Sequence, residues 1–250
     1  MSILNGTADI LRLMSTLKRG VTVSDVVEHL QVPKSTASRV LKQLAQAGFL
    51  DRDTATLAYQ PGLMLLEVAH LVRRNSSLTD HIEHALRELC RVTGHTGYIS
   101  VLDGNDVLVL RVIPGVHALR VIRNSGSRSP AWGTSTGRAL LARLPAEQIT
   151  ERFGALLAPA GHPVMEFSQL LDHLSNIRRQ RWAAAVNEAV PGAASVSCAV
   201  GDSQTGESLA FCLTFPASMA DQAEIVKLSR LLCAAATQIG KKVGDPAWFI

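Results

Sequence analysis

The chain has 250 residues, 47% of them hydrophobic, enough for about two domains with real cores and too apolar for a disordered polymer. Lys and Arg outnumber Asp and Glu by 25 to 21, a net +4 that suits a polyanionic partner without specifying one. No apolar run approaches the ~20 residues of a membrane span, and Met1 to Leu11 carries Asp9 and no basic start, so neither a membrane partner nor a signal peptide is expected and the expected compartment is the cytoplasm.

Residues 1–62 read as three short helices and a hairpin. Ile10, Leu13, Met14 and Leu17 form a helical stripe, closed by Lys18-Arg19-Gly20. Thr22-Val23-Ser24-Asp25 looks like a capping box with Asp in place of Glu, opening a two-turn helix with Val23, Val26, Val27 and Leu30 along one side. Pro33 suits the start of a third helix. Ala37, Val40, Leu41 and Leu44 give that helix an inward stripe, and Gly48 ends it. Beyond it, Phe49-Leu50 and Thr56-Leu57-Ala58-Tyr59 flank a polar turn as two extended pieces of a wing. A helix over 63–74 follows, and the polar cluster after it marks a boundary near residue 77.

The remainder, 78–250, mixes helices and strands. Ile82, Leu86, Leu89 and Cys90 stripe a helix that stops at Gly94. Tyr98–Leu102 and Val107–Val112 flank Asp103-Gly104-Asn105-Asp106 as a hairpin, and Ala118–Ile122 reads as another strand. A Gly/Ser-rich loop over 124–137 enters a helix at Arg138–Leu144, with further helices at 146–153 and 167–181. Strands are expected at 182–187, 194–200 and 208–215, and a closing helix at Met219–Val243. Hairpin-linked strands with helices in separate blocks make an α+β fold on an antiparallel sheet.

Two short helices, a tight turn and a polar-faced third helix make a helix-turn-helix, whose third helix fits a major groove about 12 Å wide. The outer face holds Lys34, Ser35, Thr36, Ser38, Arg39 and Lys42: cations for phosphates and base edges, and short hydroxyls that permit close approach to the backbone. Arg52 in the wing would reach a flanking phosphate or the minor groove. An ordinary charged solvent face accounts for the same residues, since 1–62 hold seven basic against five acidic side chains. None of the four cysteines (Cys90, Cys198, Cys212, Cys233) forms a C-x-x-C pair, and buried thiols are expected rather than zinc or a disulfide framework; no cofactor or metal is expected.

The run Val32-Pro33-Lys34-Ser35-Thr36-Ala37-Ser38-Arg39-Val40-Leu41, with Gly48-Phe49-Leu50, Tyr59 and Gly62, resembles the IclR family of bacterial transcriptional regulators. Ser127 to Ala142 and Pro191-Gly192-Ala193-Ala194-Ser195-Val196 resemble the family's effector domain, so the similarity covers nearly the whole chain. The resemblance implies a winged helix-turn-helix (1–62), a linker helix (63–77) and a GAF-like effector-binding and oligomerisation domain (78–250). It also implies operator DNA as a partner, a homodimer or homotetramer, and a small organic or aromatic carboxylate as effector. The pocket it implies draws on Trp132, Gly133, Thr134, Ser135, Cys198, Cys212 and Thr214. Cys198 and Cys212 would share a face there, while period-2 alternation lets only one of Ser197 and Cys198 point inward. Trp132 would either wall an aromatic acid or pack beneath the loop. Gly133-Thr134-Ser135-Thr136-Gly137 also matches the G-x-S-x-G of serine hydrolases, but no strand leads into it and the last histidine, His173, neighbours its acid, so an enzyme is not expected.

Overall fold

The computed structural model describes residues 3–17, 19–74, 77–116, 123–154 and 165–249. The expected strand at Ala118–Ile122, Lys18 and the polar pair Asn75-Ser76 lie outside the described residues. Chain contacts gather into two compact units, Met1–Ser76 and Ser77–Ile250.

The first unit begins with α1 (Ile3–Leu17), α2 (Val23–Leu30) and α3 (Lys34–Gln46). One stripe from each meets in a common core: Ile10, Leu13 and Met14 from α1, Val26 from α2, and Ala37, Val40, Leu41 and Leu44 from α3. Thr22 caps α2 in a reciprocal box, its Oγ1 accepting from the Asp25 N–H at 3.2 Å while its own N–H donates to the Asp25 carboxylate at 2.8 Å. The Arg19 guanidinium donates to both Asp25 oxygens, at 2.7 and 2.9 Å. Helix α3 ends as Gly48 enters the left-handed region at φ 78°, where a side chain would be strained.

The wing is β1 (Leu50–Arg52) paired antiparallel with β2 (Tyr59–Pro61). The second piece starts three residues later than the apolar alternation implies. Asp53 accepts from the N–H groups of Ala55 and Thr56, at 2.8 and 3.0 Å, and Leu57 is left-handed at φ 58°, so 53–57 form the turn itself. Helix α4 (Leu63–Arg74) follows, with Leu63, Leu66 and Val68 each more than half exposed.

The second unit is a six-stranded antiparallel sheet in the order β5-β4-β3-β8-β7-β6. Its strands are β3 (Thr96–Asp103), β4 (Asp106–Ile113), β5 (Arg128–Pro130), β6 (Ala183–Val186), β7 (Ala193–Gly201) and β8 (Ser208–Pro216). Helices α5 (Ser77–Thr93) and α9 (Gln222–Val243) cover one face, where Val196, Cys198 and Val200 of β7 join Phe211, Leu213 and Phe215 of β8 in the larger core. The other face carries α6 (Ser135–Leu141), α7 (Ala146–Phe153) and α8 (Phe167–Gln180), packed on Ala199 and Ala210.

Three boundaries differ from the sequence reading. The Gly/Ser-rich loop contains the edge strand β5, whose three residues are too few to show alternation. Helix α6 starts at Ser135 rather than Arg138, because the Thr134 Oγ1 accepts from the Gly137 N–H at 3.0 Å and caps it there. Helix α9 starts at Gln222 rather than Met219, since Ala217–Met219 make a 3-10 turn and the Asp221 carboxylate caps the Glu224 N–H at 2.7 Å. Arg138 is fully buried, its two terminal nitrogens donating to Glu188 at 2.5 and 3.1 Å and to the Ala184 carbonyl at 2.8 Å, which ties α6 to β6 and the residues after it.

The hydrogen bonds from Arg19 and from the Thr22 N–H hold the Asp25 carboxyl well below the ordinary value of 3.8. A depressed carboxyl stabilises the fold above its unfolded-state value and loses that contribution as pH falls through the folded one. Asp25→Asn should therefore weaken α2 by about 1 kcal/mol at pH 7, read as faster amide exchange over 23–30. The gap between variant and parent should close progressively below about pH 4; a gap independent of pH would remove Asp25 from this role.

Candidate nucleic-acid interface and effector cavity

In α3 the four inward residues leave a polar face directed at solvent. Lys34, Ser35, Arg39 and Lys42 are exposed, and Thr36 and Ser38 are half-buried beside them. Among the described residues of this unit, ion pairs join Arg12 to Asp9 and Arg19 to Asp25, whereas Lys34, Arg39 and Lys42 pair with no carboxylate. Arg52 is exposed on β1 with its guanidinium 5.6 Å from the centre of the Tyr59 ring, which braces it at the wing. The three α3 cations and the hydroxyls among them can meet phosphate oxygens and base edges together.

The second unit encloses a cavity of about 70 Å³ between the sheet and the start of α6. That is several times the ~10–15 Å³ that holds one water on the same measure. Tyr98 and Ser100 of β3, Val107 and Val109 of β4, Ser195 of β7, and Cys212 and Thr214 of β8 line it, with Thr134, Ser135 and Thr136 closing one end. The Ser135 hydroxyl lies 2.7 Å from that of Ser195 and 2.6 Å from that of Ser197, so α6 is fastened to β7 by a cluster of three serines.

Register decides which predicted residues meet here. Ser197 faces Cys212 across the β7–β8 ladder, and Cys198 faces Phe211. Cys212 and Thr214 therefore share the cavity face with Ser195 and Ser197. Cys198 does not share it, contrary to expectation: its side chain enters the core beneath α5 and α9. Trp132 is buried among the α6, α7 and α8 residues rather than walling the cavity. Gly133 sits in the 3-10 turn before Thr134 and is not among the lining residues.

The sequence reading missed Arg123, Tyr98 and Ser195. Arg123 is half-buried at the cavity edge, where its guanidinium donates to the Ser129 hydroxyl and lies 3.5 Å from the carbonyls of Arg128 and Ala189. Burial pulls its pKa down, and no carboxylate among the described residues offsets the charge. Burial raises the Tyr98 hydroxyl and pushes the Cys212 thiol up to about 11, so both stay protonated and neutral. The cavity thus offers one cation, several hydroxyls and an apolar floor. The signal for Ser195 was present as its i, i+2 spacing from Ser197. Arg123 stands in a polar loop with no periodicity to mark it.

Ser135 has two serine hydroxyls as neighbours instead of a base, and the residues lining the cavity include no histidine or carboxylate. The G-x-S-x-G spacing arises here from packing: a Cβ on Gly137 would stand 2.0 Å from the Ala131 carbonyl oxygen.

Comparison with known proteins bears on both units. Residues 7–54 match the IclR helix-turn-helix domain, and residues 70–241 match the domain described as bacterial transcriptional regulator IclR C-terminal. The HTH-type transcriptional regulator XynR of Escherichia coli (strain K12) is 25% identical over 95% of both chains. KipR of Bacillus subtilis (strain 168), also an HTH-type transcriptional regulator, is 32% identical over 53% of this chain and 52% of its own. Among solved structures, an IclR homolog from Microbacterium hydrocarbonoxydans, complexed with 4-hydroxybenzoate, superposes with a TM-score of 0.78 at 24% identity. That match covers 97% of this chain and 99% of the other.

The contact between Gly137 and Ala131 predicts that Gly137→Ala forces α6 off the 3-10 turn. The cost should be about 1–3 kcal/mol, the range for overpacking, read as a lower urea midpoint for the second unit. Gly133→Ala, where an added Cβ meets nothing within 4 Å, should move that midpoint little. Equal effects of the two substitutions would refute the packing role of Gly137.

Proposed function

The chain belongs to the IclR family of bacterial transcriptional regulators, and on that premise we propose that α3 reads an operator while Arg123 anchors the carboxylate of the effector. Family membership makes the protein a DNA-binding transcriptional regulator with a small-molecule effector domain. The finer assignments rest on the two sites. In the first, Lys34, Arg39 and Lys42 pair with no carboxylate among the described residues and flank the hydroxyls of Ser35, Thr36 and Ser38, so the face is ready to exchange counterions for phosphates. Arg52 supplements it from the wing. In the second, the observation that carries most weight is the partly desolvated guanidinium of Arg123 beside the cavity, paired with no carboxylate among the described residues. A buried cation without an anion is costly, and a bound carboxylate would relieve that cost. The hydroxyls of Tyr98, Ser135, Ser195 and Thr214 would receive a second polar group, and 4-hydroxybenzoate, the ligand of the Microbacterium protein, carries both groups.

We further propose that the working unit is a homodimer or larger. The exposed Leu63, Leu66 and Val68 on α4 are apolar surface that a second copy would remove from water. Two copies would set two α3 helices about 34 Å apart, in successive major grooves of a pseudo-palindromic site. A coupling of about 1–3 kcal/mol between effector and operator would change DNA affinity roughly 5–150-fold.

Two measurements test these assignments. On duplexes selected from a random pool, Arg39→Ala should cost about 1–3 kcal/mol in binding, and Lys42→Ala should reduce the slope of log K against log salt by about 1. Unchanged affinity and slope would remove both residues from the interface. Separately, a carboxylate that binds at 100 times its Kd should stabilise the second unit by about 2.7 kcal/mol. In a thermal-shift panel of aromatic and aliphatic acids, the stabilising acids should lose their effect in Arg123→Ala. Stabilisation that survives this change would place the carboxylate elsewhere.

A further inference from the structure

Two of the four thiols meet outside both sites. Cys198 of β7 projects from the sheet toward α9, and its Sγ lies 3.7 Å from the Sγ of Cys233. Cys198 is fully buried, while Cys233 is partly open to solvent. The remaining pair is built differently. Cys90 is buried with its Sγ 3.8 Å from the Ile113 carbonyl, and Cys212 faces the cavity 3.7 Å from the Thr214 hydroxyl. From this geometry we propose that Cys198 and Cys233 are an oxidation site, closing to a reversible disulfide when the chain meets a hydroperoxide.

The two sulfurs must close from 3.7 Å to the ~2.05 Å of an S–S bond. Cys233 is suited to react first. It is the more accessible member, and its hydrogen bond with the Cys198 sulfur and the positive charge of Arg181 nearby favour the Cys233 thiolate. By contrast, burial pushes Cys90 up to about 12 and Cys212 up to about 11, so they stay protonated and slow to react.

The step balances without a further reagent. The Cys233 thiolate, its proton having passed to solvent, attacks the hydroxyl-bearing oxygen of the peroxide, the O–O bond breaks, and the departing alkoxide takes a proton back from solvent. Cys233 is then a sulfenic acid. The Cys198 sulfur attacks the Cys233 sulfur, the S–O bond breaks, and the hydroxyl leaves as water with the proton from Cys198. Overall, two thiols and one hydroperoxide give a disulfide, an alcohol and water, with two electrons passing from the sulfurs to the peroxide.

The test uses the full native chain. After brief exposure to hydrogen peroxide, free thiols are alkylated and the chain is cleaved after Lys, Arg and Glu. Cleavage after Glu188 and Glu207 puts Cys198 on 189–207 and Cys212 on 208–224, while Cys233 lies on 231–241 and Cys90 on 89–91. The expected product is a single cross-linked species joining 189–207 to 231–241, 2 Da lighter than the sum of the two free peptides and released by dithiothreitol. Cys233→Ser should abolish it and leave Cys198 open to alkylation once the chain is denatured. The proposal is overturned if Cys233 of the parent chain is recovered as a free thiol, or as sulfinic or sulfonic acid beside an intact Cys198. It is equally overturned if cross-links to Cys90 or Cys212 form as readily. The parent chain alone decides these outcomes, so the result does not depend on how well the variant folds.

Discussion

Strands β7 and β8 are covered on both faces, and each of their side chains is committed to one of two environments. Val196, Cys198 and Val200 enter the apolar layer under α5 and α9; Ser195, Ser197 and Ala199 face α6 and the cavity. A slip of one residue in the β7–β8 register would exchange these sets. It would drive the Ser195 and Ser197 hydroxyls into hydrocarbon at about 1–3 kcal/mol each if unbonded, and turn Cys198 and two valines toward the cavity. That penalty fixes the pairing of Ser197 with Cys212 and thereby positions the hydroxyls, the α6 cap and the thiol pair together. The cavity is a consequence of the ladder more than of the loop that closes it.

The first unit obeys a different economy. It is small, and the apolar stripes of α1, α2 and α3 are consumed in joining the three helices. Once Ala37, Val40, Leu41 and Leu44 are buried, the 3.6-residue period leaves Lys34, Ser35, Arg39 and Lys42 on the far side of the same helix. The core therefore presents the cationic face as a by-product of its own packing, and the Thr22–Asp25–Arg19 cluster anchors the helix that precedes it. A regulator needs one surface that DNA can occupy and one enclosure that a metabolite can occupy. The chain builds the surface from helical periodicity and the enclosure from strand periodicity.

Local patterns with a strong period were legible in the amino-acid sequence. The α3 stripe, the Thr22 box, the 103–106 hairpin and the antiparallel α+β class all follow from spacing and capping chemistry. Features set by tertiary pairing were not. Alternation requires Ser197 and Cys198 to diverge, but only the register with Phe211 and Cys212 decides which turns toward the cavity, and it sends Cys198 to the opposite face. Trp132 could have packed or stacked, and the volume left by α6, α7 and α8 decided for packing. Strand β5 is too short to announce itself, and Leu57 adopts a left-handed backbone that its apolar side chain does not advertise. Arg123 was invisible because a lone cation in a polar loop acquires meaning only from what surrounds it.

The account turns on the outward face of α3 being the surface that touches DNA. Reductive methylation of lysines, followed by peptide mapping, reports this directly when performed on the native chain with and without a duplex selected from a random pool. Lys34 and Lys42 should be shielded by the duplex, while Lys227, Lys241 and Lys242 on α9 should react as before. A duplex that binds tightly yet leaves Lys34 and Lys42 fully reactive would contradict the account.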